Sequence, residues 1–163
     1  MTVSLVLGGA ASGKSAVAER FAARLPPPVT YLATWVPDPA DVDMLARVAA
    51  HRARRPPDWE VRECGADLAA VVGAARGTVL IDSLGPWVAA TGDASVVDLC
   101  RALQARDGDT VVVSDEVGLA VHPSTEVGRR FRDALGRVNQ AVAAAADEVW
   151  LVVAGRVLEL DEP

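Results

Sequence analysis

Short runs of Val, Leu and Ile alternate along the chain with longer stretches in which apolar residues recur at helical spacing. The apolar runs predict strands at residues 3–7, 29–33, 59–62, 78–82, 110–114, 149–153 and 157–160. The stretches between them predict helices at 16–22, 41–54, 67–75, 95–105 and 126–145, and three prolines at 26–28 end the first helix. Continuous apolar runs are typical of parallel strands that are buried on both faces. The sequence therefore predicts an α/β protein with a mostly parallel central sheet, helices on both faces and a C-terminal β-hairpin around residues 154–156.

The 163 residues suit one domain, residues 1–163, because no internal repeat, linker or second boundary is visible. A hydrophobic fraction of 51% indicates a packed core, and the net charge of −6 argues against nucleic acid as a partner. No run is long and apolar enough to predict a membrane span, and residue 1 leads directly into the first strand without a signal peptide. Cys64 and Cys100 lack metal-site spacing and fit a cytoplasmic protein.

The first strand leads into a glycine-rich motif that matches the pattern G-x-x-x-x-G-K-[ST] in full. It comprises Gly8, Gly9, Ala10, Ala11, Ser12, Gly13, Lys14 and Ser15. The motif lies between a buried strand and a helix, as its mechanism requires. The glycines let backbone N–H groups approach phosphate oxygens, Lys14 neutralises the β and γ phosphates, and Ser15 binds Mg²⁺ through its hydroxyl. The sequence therefore predicts a nucleoside triphosphate site.

Two acidic positions follow strands that end at the same predicted sheet edge as this loop. Asp82 ends the 78–82 strand and, beside a phosphate loop, is expected to complete the Mg²⁺ shell through water; alone it could be a solvated turn residue. Glu116 follows the 110–114 strand and is a candidate acceptor-site residue. It could act as a base for an acceptor hydroxyl, or it could be an ordinary loop carboxylate.

His51 is followed by arginines at 52, 54 and 55, and this segment has two interpretations. It could be a solvated helix end, where cations interact favourably with the helix dipole. Alternatively, a neutral imidazole is a competent nucleophile toward phosphorus, and the arginines would clamp the phosphates. The chemistry of the residues leaves both open. His122 precedes a proline in a predicted loop and is interpreted as structural.

Several segments together resemble one family, the bifunctional adenosylcobinamide kinase / adenosylcobinamide-phosphate guanylyltransferases of cobalamin biosynthesis. The resemblance runs nearly end to end and rests on the phosphate loop, Y-L-A-T at 31–34, M-x-x-R-V-x-x-H at 44–51, R-P at 55–56, Trp59, E-C at 63–64, E-V-G at 116–118, F-R-D at 131–133, G-x-x-N-Q at 136–140 and A-A-D-E-V-W-L-V-V-A-G at 145–155.

This resemblance implies a P-loop NTPase domain of RecA-like type that forms homotrimers. It implies that ATP or GTP phosphorylates adenosylcobinamide, and that a GMP-histidine intermediate on His51 then passes GMP from GTP to the product, giving adenosylcobinamide-GDP. The implied nucleotide contacts are Gly8, Gly9, Ala10, Ala11, Ser12, Gly13, Lys14, Ser15, Ala33, Thr34, Arg52, Ala53, Arg54, Arg55, Glu63 and Asp82, with Mg²⁺ on Ser15 and Asp82.

The chain departs from the family pattern at a few positions. Ala11 stands where Arg is usual and Asp115 where Asn is usual, and the stretch 82–109 is shorter. These departures leave the guanylyl step better supported than the corrinoid specificity or the kinase step. The alternatives are a P-loop small-molecule kinase without guanylyl transfer, and a nucleotide-binding regulatory module.

Overall fold

The computed structural model describes residues 1–35 and 55–162. The strands of the described chain are β1 (Val3–Gly8), β2 (Val29–Ala33), β3 (Glu60–Glu63), β4 (Thr78–Asp82), β5 (Thr110–Asp115), β6 (Glu148–Val153) and β7 (Arg156–Glu159). These seven strands form one sheet in the order β3-β2-β4-β5-β1-β6-β7. All neighbouring strands run parallel except β6 and β7, which form the antiparallel hairpin at the edge.

Five α-helices and one short 3₁₀ helix of the described chain cover this sheet. They are α1 (Lys14–Ala22), the 3₁₀ turn Gly65–Asp67, α2 (Leu68–Ala74), α3 (Leu84–Thr91), α4 (Val96–Ala105) and α5 (Glu126–Ala145). Helix α1 packs on one face of the sheet, where Val17 and Ala18 meet Val6 and Val113. The other helices contribute to the core on the opposite face, around Leu5, Ile81 and Val112. Apolar residues on both faces of each central strand make this arrangement favourable, because each face requires its own helical cover.

The α/β class, the parallel sheet, the helices on both faces and the terminal hairpin are all confirmed. The predicted strands agree with the observed ones to within one residue at each end. Helix α3 was not predicted, and its first turn contains Gly85 and Pro86. Proline is tolerated there because the first N–H groups of a helix have no intrahelical partner. The predicted helix 41–54 lies outside the described residues.

Within residues 1–35 and 55–162, none of the helices combines the length and the apolar character that crossing a bilayer demands.

One buried side chain, Arg106, connects the loops at the amino-terminal ends of β4 and β5, and it is only 3% exposed. Its guanidinium donates hydrogen bonds to five oxygens, namely the carbonyls of Ala75, Gly77, Gly108 and Asp109 and the hydroxyl of Thr110. Four of these oxygens are backbone groups of the loops that enter the two strands. Arg106 thus provides partners for polar atoms at the start of both strands, and of these the Asp109 carbonyl oxygen also accepts from the Val79 N–H.

Replacing Arg106 with Met keeps much of the side-chain volume but removes all five hydrogen bonds, and the Asp109 carbonyl oxygen keeps its bond from the Val79 N–H. We expect the free energy of unfolding to fall by about 3 kcal/mol or more. The matched control is Arg101→Met, which removes only an exposed ion pair with Asp98 and costs about 0.5 kcal/mol or less. Urea denaturation of both variants measures the difference. Equal losses in the two variants would contradict the connecting role.

Candidate nucleotide-binding site

The phosphate loop leaves the carboxyl end of β1 and enters α1 through two tight backbone positions. A Cβ atom at Gly8 would lie 2.8 Å from the Val152 carbonyl oxygen, so only glycine fits there. Gly13, directly before α1, has a φ of 90°, a left-handed conformation that glycine adopts without steric cost. The loop therefore takes the shape in which backbone N–H groups at the start of a helix can receive phosphate oxygens.

The β6–β7 turn braces this loop from the side. The Gly155 N–H donates to the Ser12 carbonyl oxygen at 2.8 Å. The Gly155 Cα atom would be 3.5 Å from a Cβ placed on Gly13, which is ordinary packing distance. The terminal hairpin is consequently part of the support for the phosphate site, a role that its sequence did not indicate.

Lys14 points back across the loop and forms an ion pair with Asp115, the last residue of β5. The Lys14 Nζ atom is 2.6 Å from Asp115 Oδ1, and the two side chains are 12% and 33% exposed. Lys14 Nζ also donates to the Gly9 carbonyl oxygen at 3.3 Å. The cation predicted to neutralise phosphate thus has a carboxylate partner within the protein, and phosphate must compete with that partner.

The Asp82 carboxylate lies beside the start of α1, where both of its oxygens accept hydrogen bonds. Ser15 Oγ donates to Oδ1 at 3.2 Å and the Tyr31 hydroxyl donates to Oδ2 at 2.9 Å. Burial, and then the neighbouring Asp82 charge, raise the pKa of the Tyr31 phenol well above its usual value, so it remains a donor. A serine hydroxyl and a carboxylate at this separation are the hard oxygen donors that Mg²⁺ prefers, so these residues fit that ion.

The other predicted nucleotide contacts lie along the same edge of the sheet. Ala33 is paired with Asp82 on one side and with Glu63 on the other, so the three residues end neighbouring strands. Thr34 follows and donates through its hydroxyl to the Ser83 carbonyl oxygen. The Arg55 guanidinium stacks 3.4 Å from the centroid of the Tyr31 ring. The structure therefore places Ala33, Thr34, Arg55 and Glu63 on the side of Asp82 away from β1.

The predicted nucleophile His51 and its neighbours Arg52, Ala53 and Arg54 lie outside the described residues. Their roles stay predictions. Arg55, the last residue of that segment, is described, and its stacking on Tyr31 brings the end of the segment to the Asp82 side of the loop.

Glu116 lies at the rim of a cavity of about 610 Å³ between the end of β1 and α5. The Glu116 carboxylate accepts hydrogen bonds from the Gly118 and Leu119 N–H groups at 2.7 and 3.1 Å. It thereby stabilises the loop that follows β5, which is the role of an ordinary loop carboxylate. The polar residues that also line the cavity are Arg132, Asp133, Arg137, Asn139 and Gln140. A cavity of this size with donors and acceptors beside the phosphate loop has the properties of an acceptor site.

The two cysteines pack as small side chains. Both are free thiols, and burial raises the pKa of Cys64 to about 11. Among the described residues, no group of three or more His, Cys, Asp or Glu side chains is arranged to hold a metal ion. The Mg²⁺ assignment accordingly depends on Ser15, Asp82 and nucleotide phosphate together.

Sequence reasoning missed the contributions of two residues. The sequence places Asp115 at the same sheet edge as the phosphate loop but does not identify it as the partner of Lys14. Tyr31 belongs to a predicted strand and to the family resemblance, and the sequence does not assign its hydroxyl a role. Its hydroxyl, in a buried strand that also contains Thr30, was the signal, because a buried hydroxyl needs a partner.

The chain is similar to several known proteins. The model of the family described as cobinamide kinase / cobinamide phosphate guanyltransferase matches residues 4–160. The chain is 37% identical to the bifunctional adenosylcobalamin biosynthesis protein CobU of Salmonella typhimurium, over 93% of this chain and 95% of that protein. It is 38% identical to the bifunctional adenosylcobalamin biosynthesis protein CobP of Pseudomonas aeruginosa, over 96% and 95%. The corresponding protein of Escherichia coli, CobU, is 35% identical over 93% and 95%.

Among solved structures, the chain is similar to an ATPase from the type III secretion system of pathogenic bacteria. The TM-score is 0.56 at 11% identity, and the match covers 92% of this chain and 50% of that one. At this identity the likeness concerns the fold alone, and it supports the P-loop NTPase class.

Removing the carboxylate charge that competes for Lys14 should strengthen phosphate binding. We expect Asp115→Asn to lower the Kd for Mg²⁺·GTP about 5-fold, the equivalent of an ion pair worth about 1 kcal/mol. Isothermal titration calorimetry measures the change. Asp98→Asn is the matched control, because it makes the same change in net charge at an exposed helix position and should leave the Kd unchanged. Weaker binding by Asp115→Asn would show instead that the ion pair organises the loop for nucleotide.

Proposed function

The chain belongs to the cobinamide kinase / cobinamide phosphate guanyltransferase family, and we propose that it catalyses both reactions on adenosylcobinamide. ATP or GTP would first phosphorylate the aminopropanol hydroxyl of adenosylcobinamide. GMP from GTP would then be transferred to that phosphate, giving adenosylcobinamide-GDP. The observation that carries the proposal is the phosphate loop with Ser15 in contact with Asp82 and Lys14 directed across the loop.

In the kinase step, the hydroxyl oxygen of the acceptor forms a bond to the γ-phosphorus. The bond between that phosphorus and the bridging β-phosphate oxygen breaks, and the nucleoside diphosphate leaves. Lys14 and the loop N–H groups neutralise charge on the phosphates. Ser15 and Asp82 would hold Mg²⁺, which supplies positive charge to the phosphate oxygens when bound.

Glu116 is proposed to receive the proton of the acceptor hydroxyl. Its location at the rim of the cavity beside the loop supports this assignment. Its carboxylate accepts two backbone N–H groups, but a carboxylate has about four lone-pair sites, so it still has capacity for a proton.

In the guanylyl step, His51 is proposed to attack the α-phosphorus of GTP. A bond forms between an imidazole nitrogen and that phosphorus, and pyrophosphate leaves. A phosphate oxygen of the acceptor then attacks the same phosphorus, and the histidine nitrogen is released. Arg52, Arg54 and Arg55 would neutralise the phosphates during both transfers, and the position of Arg55 near the Asp82 side of the loop supports this.

The single domain, 1–163, is proposed to act in the cytoplasm as a homotrimer, as the resemblance implies. Light scattering on the purified protein, with and without GTP, tests the assembly. A mass of three chains is expected, and a monomer under both conditions would contradict this part of the proposal.

Guanylylation of the protein itself tests the proposed nucleophile. We expect incubation with Mg²⁺ and GTP labelled at the α-phosphate to give acid-labile, alkali-stable label on the chain. His51→Ala should reduce the label to background, because no imidazole remains to attack. His122→Ala is the matched control, since the chain has two histidines, and it should keep the label.

Three other outcomes would redirect the proposal. Label that survives His51→Ala would exclude His51 as the nucleophile. No label, with γ-phosphate transfer to cobinamide intact, would favour a plain small-molecule kinase. Tight nucleotide binding without either transfer would favour a regulatory module.

A further inference from the structure

Tyr31 is the only tyrosine in the chain, and it lies in the middle of β2. The side chain is 4% exposed, and its ring packs with Val29, Leu80 and Val111 on the α1 face of the sheet. Tyr31 is paired in register with Leu80, so Asp82 is its diagonal neighbour on β4. Diagonal cross-strand neighbours are within reach of an aromatic side chain. The tyrosine hydroxyl accordingly reaches the carboxylate at the strand end.

The Asp82 carboxylate is held from two separate elements. Tyr31, from β2, donates to Oδ2 at 2.9 Å, and Ser15, from α1, donates to Oδ1 at 3.2 Å. Two donors on different oxygens fix the rotation of the carboxylate about its last bond. Partners of this kind orient the groups that face a metal ion, and their loss typically weakens metal binding.

The face of the same ring supports Arg55. The guanidinium carbon lies 3.4 Å from the ring centroid, within the distance for a cation–π contact. Tyr31 therefore has Arg55 against its ring and Asp82 against its hydroxyl. It contacts one residue from each of the two sets that the proposed function uses, the arginine segment and the Mg²⁺ ligands.

We propose that Tyr31 is a positioning residue that orients Asp82 for the Mg²⁺·nucleotide complex and sets the place of Arg55 beside it. This inference rests on the proposed nucleotide site. It adds that Arg55 and the proposed magnesium ligand Asp82 are held beside each other by one side chain. A substitution that disturbs the contact between Tyr31 and Arg55 is thus expected to affect the hydrogen bond between Tyr31 and Asp82, and the reverse is also expected.

The first test separates the hydroxyl from the ring. Tyr31→Phe keeps the ring beneath Arg55 and removes only the hydrogen bond to Asp82. We expect the Mg²⁺ concentration that half-saturates GTP binding to rise about 10-fold, while the Kd for GTP in EDTA stays unchanged. Titration calorimetry measures both quantities without relying on activity.

Thr78→Val is the matched control. It also removes a buried hydroxyl hydrogen bond, from Thr78 to the Pro26 carbonyl oxygen at 2.7 Å, but at the opposite end of β4. It should lower the melting temperature as Tyr31→Phe does and leave the Mg²⁺ requirement unchanged. An equal loss of GTP affinity with and without Mg²⁺ in Tyr31→Phe would reduce Tyr31 to a structural role and overturn the proposal.

The second test uses the single tyrosine as a probe. Protein expressed with 3-fluorotyrosine gives one ¹⁹F resonance, because the chain has one tyrosine. This resonance reports on the environment of the ring and its hydroxyl. Arg55→Lys, which removes the flat stack, should shift that resonance in the absence of nucleotide. Addition of Mg²⁺ with GTP should shift the wild-type signal further than GTP in EDTA does. An unchanged resonance under both comparisons would overturn the link between the two sets.

The two proposals fail in different ways. Wild-type protein that binds GTP with no Mg²⁺ dependence would overturn both the magnesium assignment and the role of Tyr31. Wild-type protein that depends on Mg²⁺, with Tyr31→Phe identical to it, would overturn the role of Tyr31 alone.

Discussion

Parallel pairing of β1 on both of its edges determines where the functional groups of this molecule can lie. Gly8, the last residue of β1, is paired with Asp115 on one side and Val152 on the other. The phosphate loop therefore begins between the end of β5 and the terminal hairpin. Asp82 lies one strand beyond β5, about 10 Å from β1 at ordinary strand spacing, and the start of α1 spans that gap through Ser15. Had β1 been an edge strand, the loop would lack one of these two supports.

Different kinds of contact stabilise the two ends of the sheet. At the amino-terminal end, one buried guanidinium donates hydrogen bonds to backbone oxygens of the loops. At the carboxyl end, Lys14 and Asp115 form an ion pair beside the phosphate loop. Such a pair can be exchanged for a charged substrate, whereas the Arg106 guanidinium is buried and donates mainly to backbone oxygens. The contacts that stabilise the loops and the groups proposed to bind a ligand thus lie at opposite ends of the same strands.

The strands and most helices of the described chain could be predicted because each central strand is a short apolar run and each helix has an apolar stripe. Helix α3 could not, since its packing against the core outweighs a first turn containing glycine and proline. The phosphate loop and Asp82 were predictable from a motif and a strand end. The Tyr31 and Asp115 contacts were not, because both depend on which strands are neighbours. Strand order is a property of the tertiary fold, and local sequence patterns do not encode it.

The contact between Gly155 and the phosphate loop has a consequence for synthesis on the ribosome. The loop emerges well before β6, which pairs with β1, and before the turn that contacts Ser12. A nascent chain consequently holds its glycine-rich loop without the neighbours that shape it. Nucleotide affinity should be acquired only after β6 and the turn have emerged. In cells, capture of the nucleotide would then follow the formation of the hairpin and not precede it.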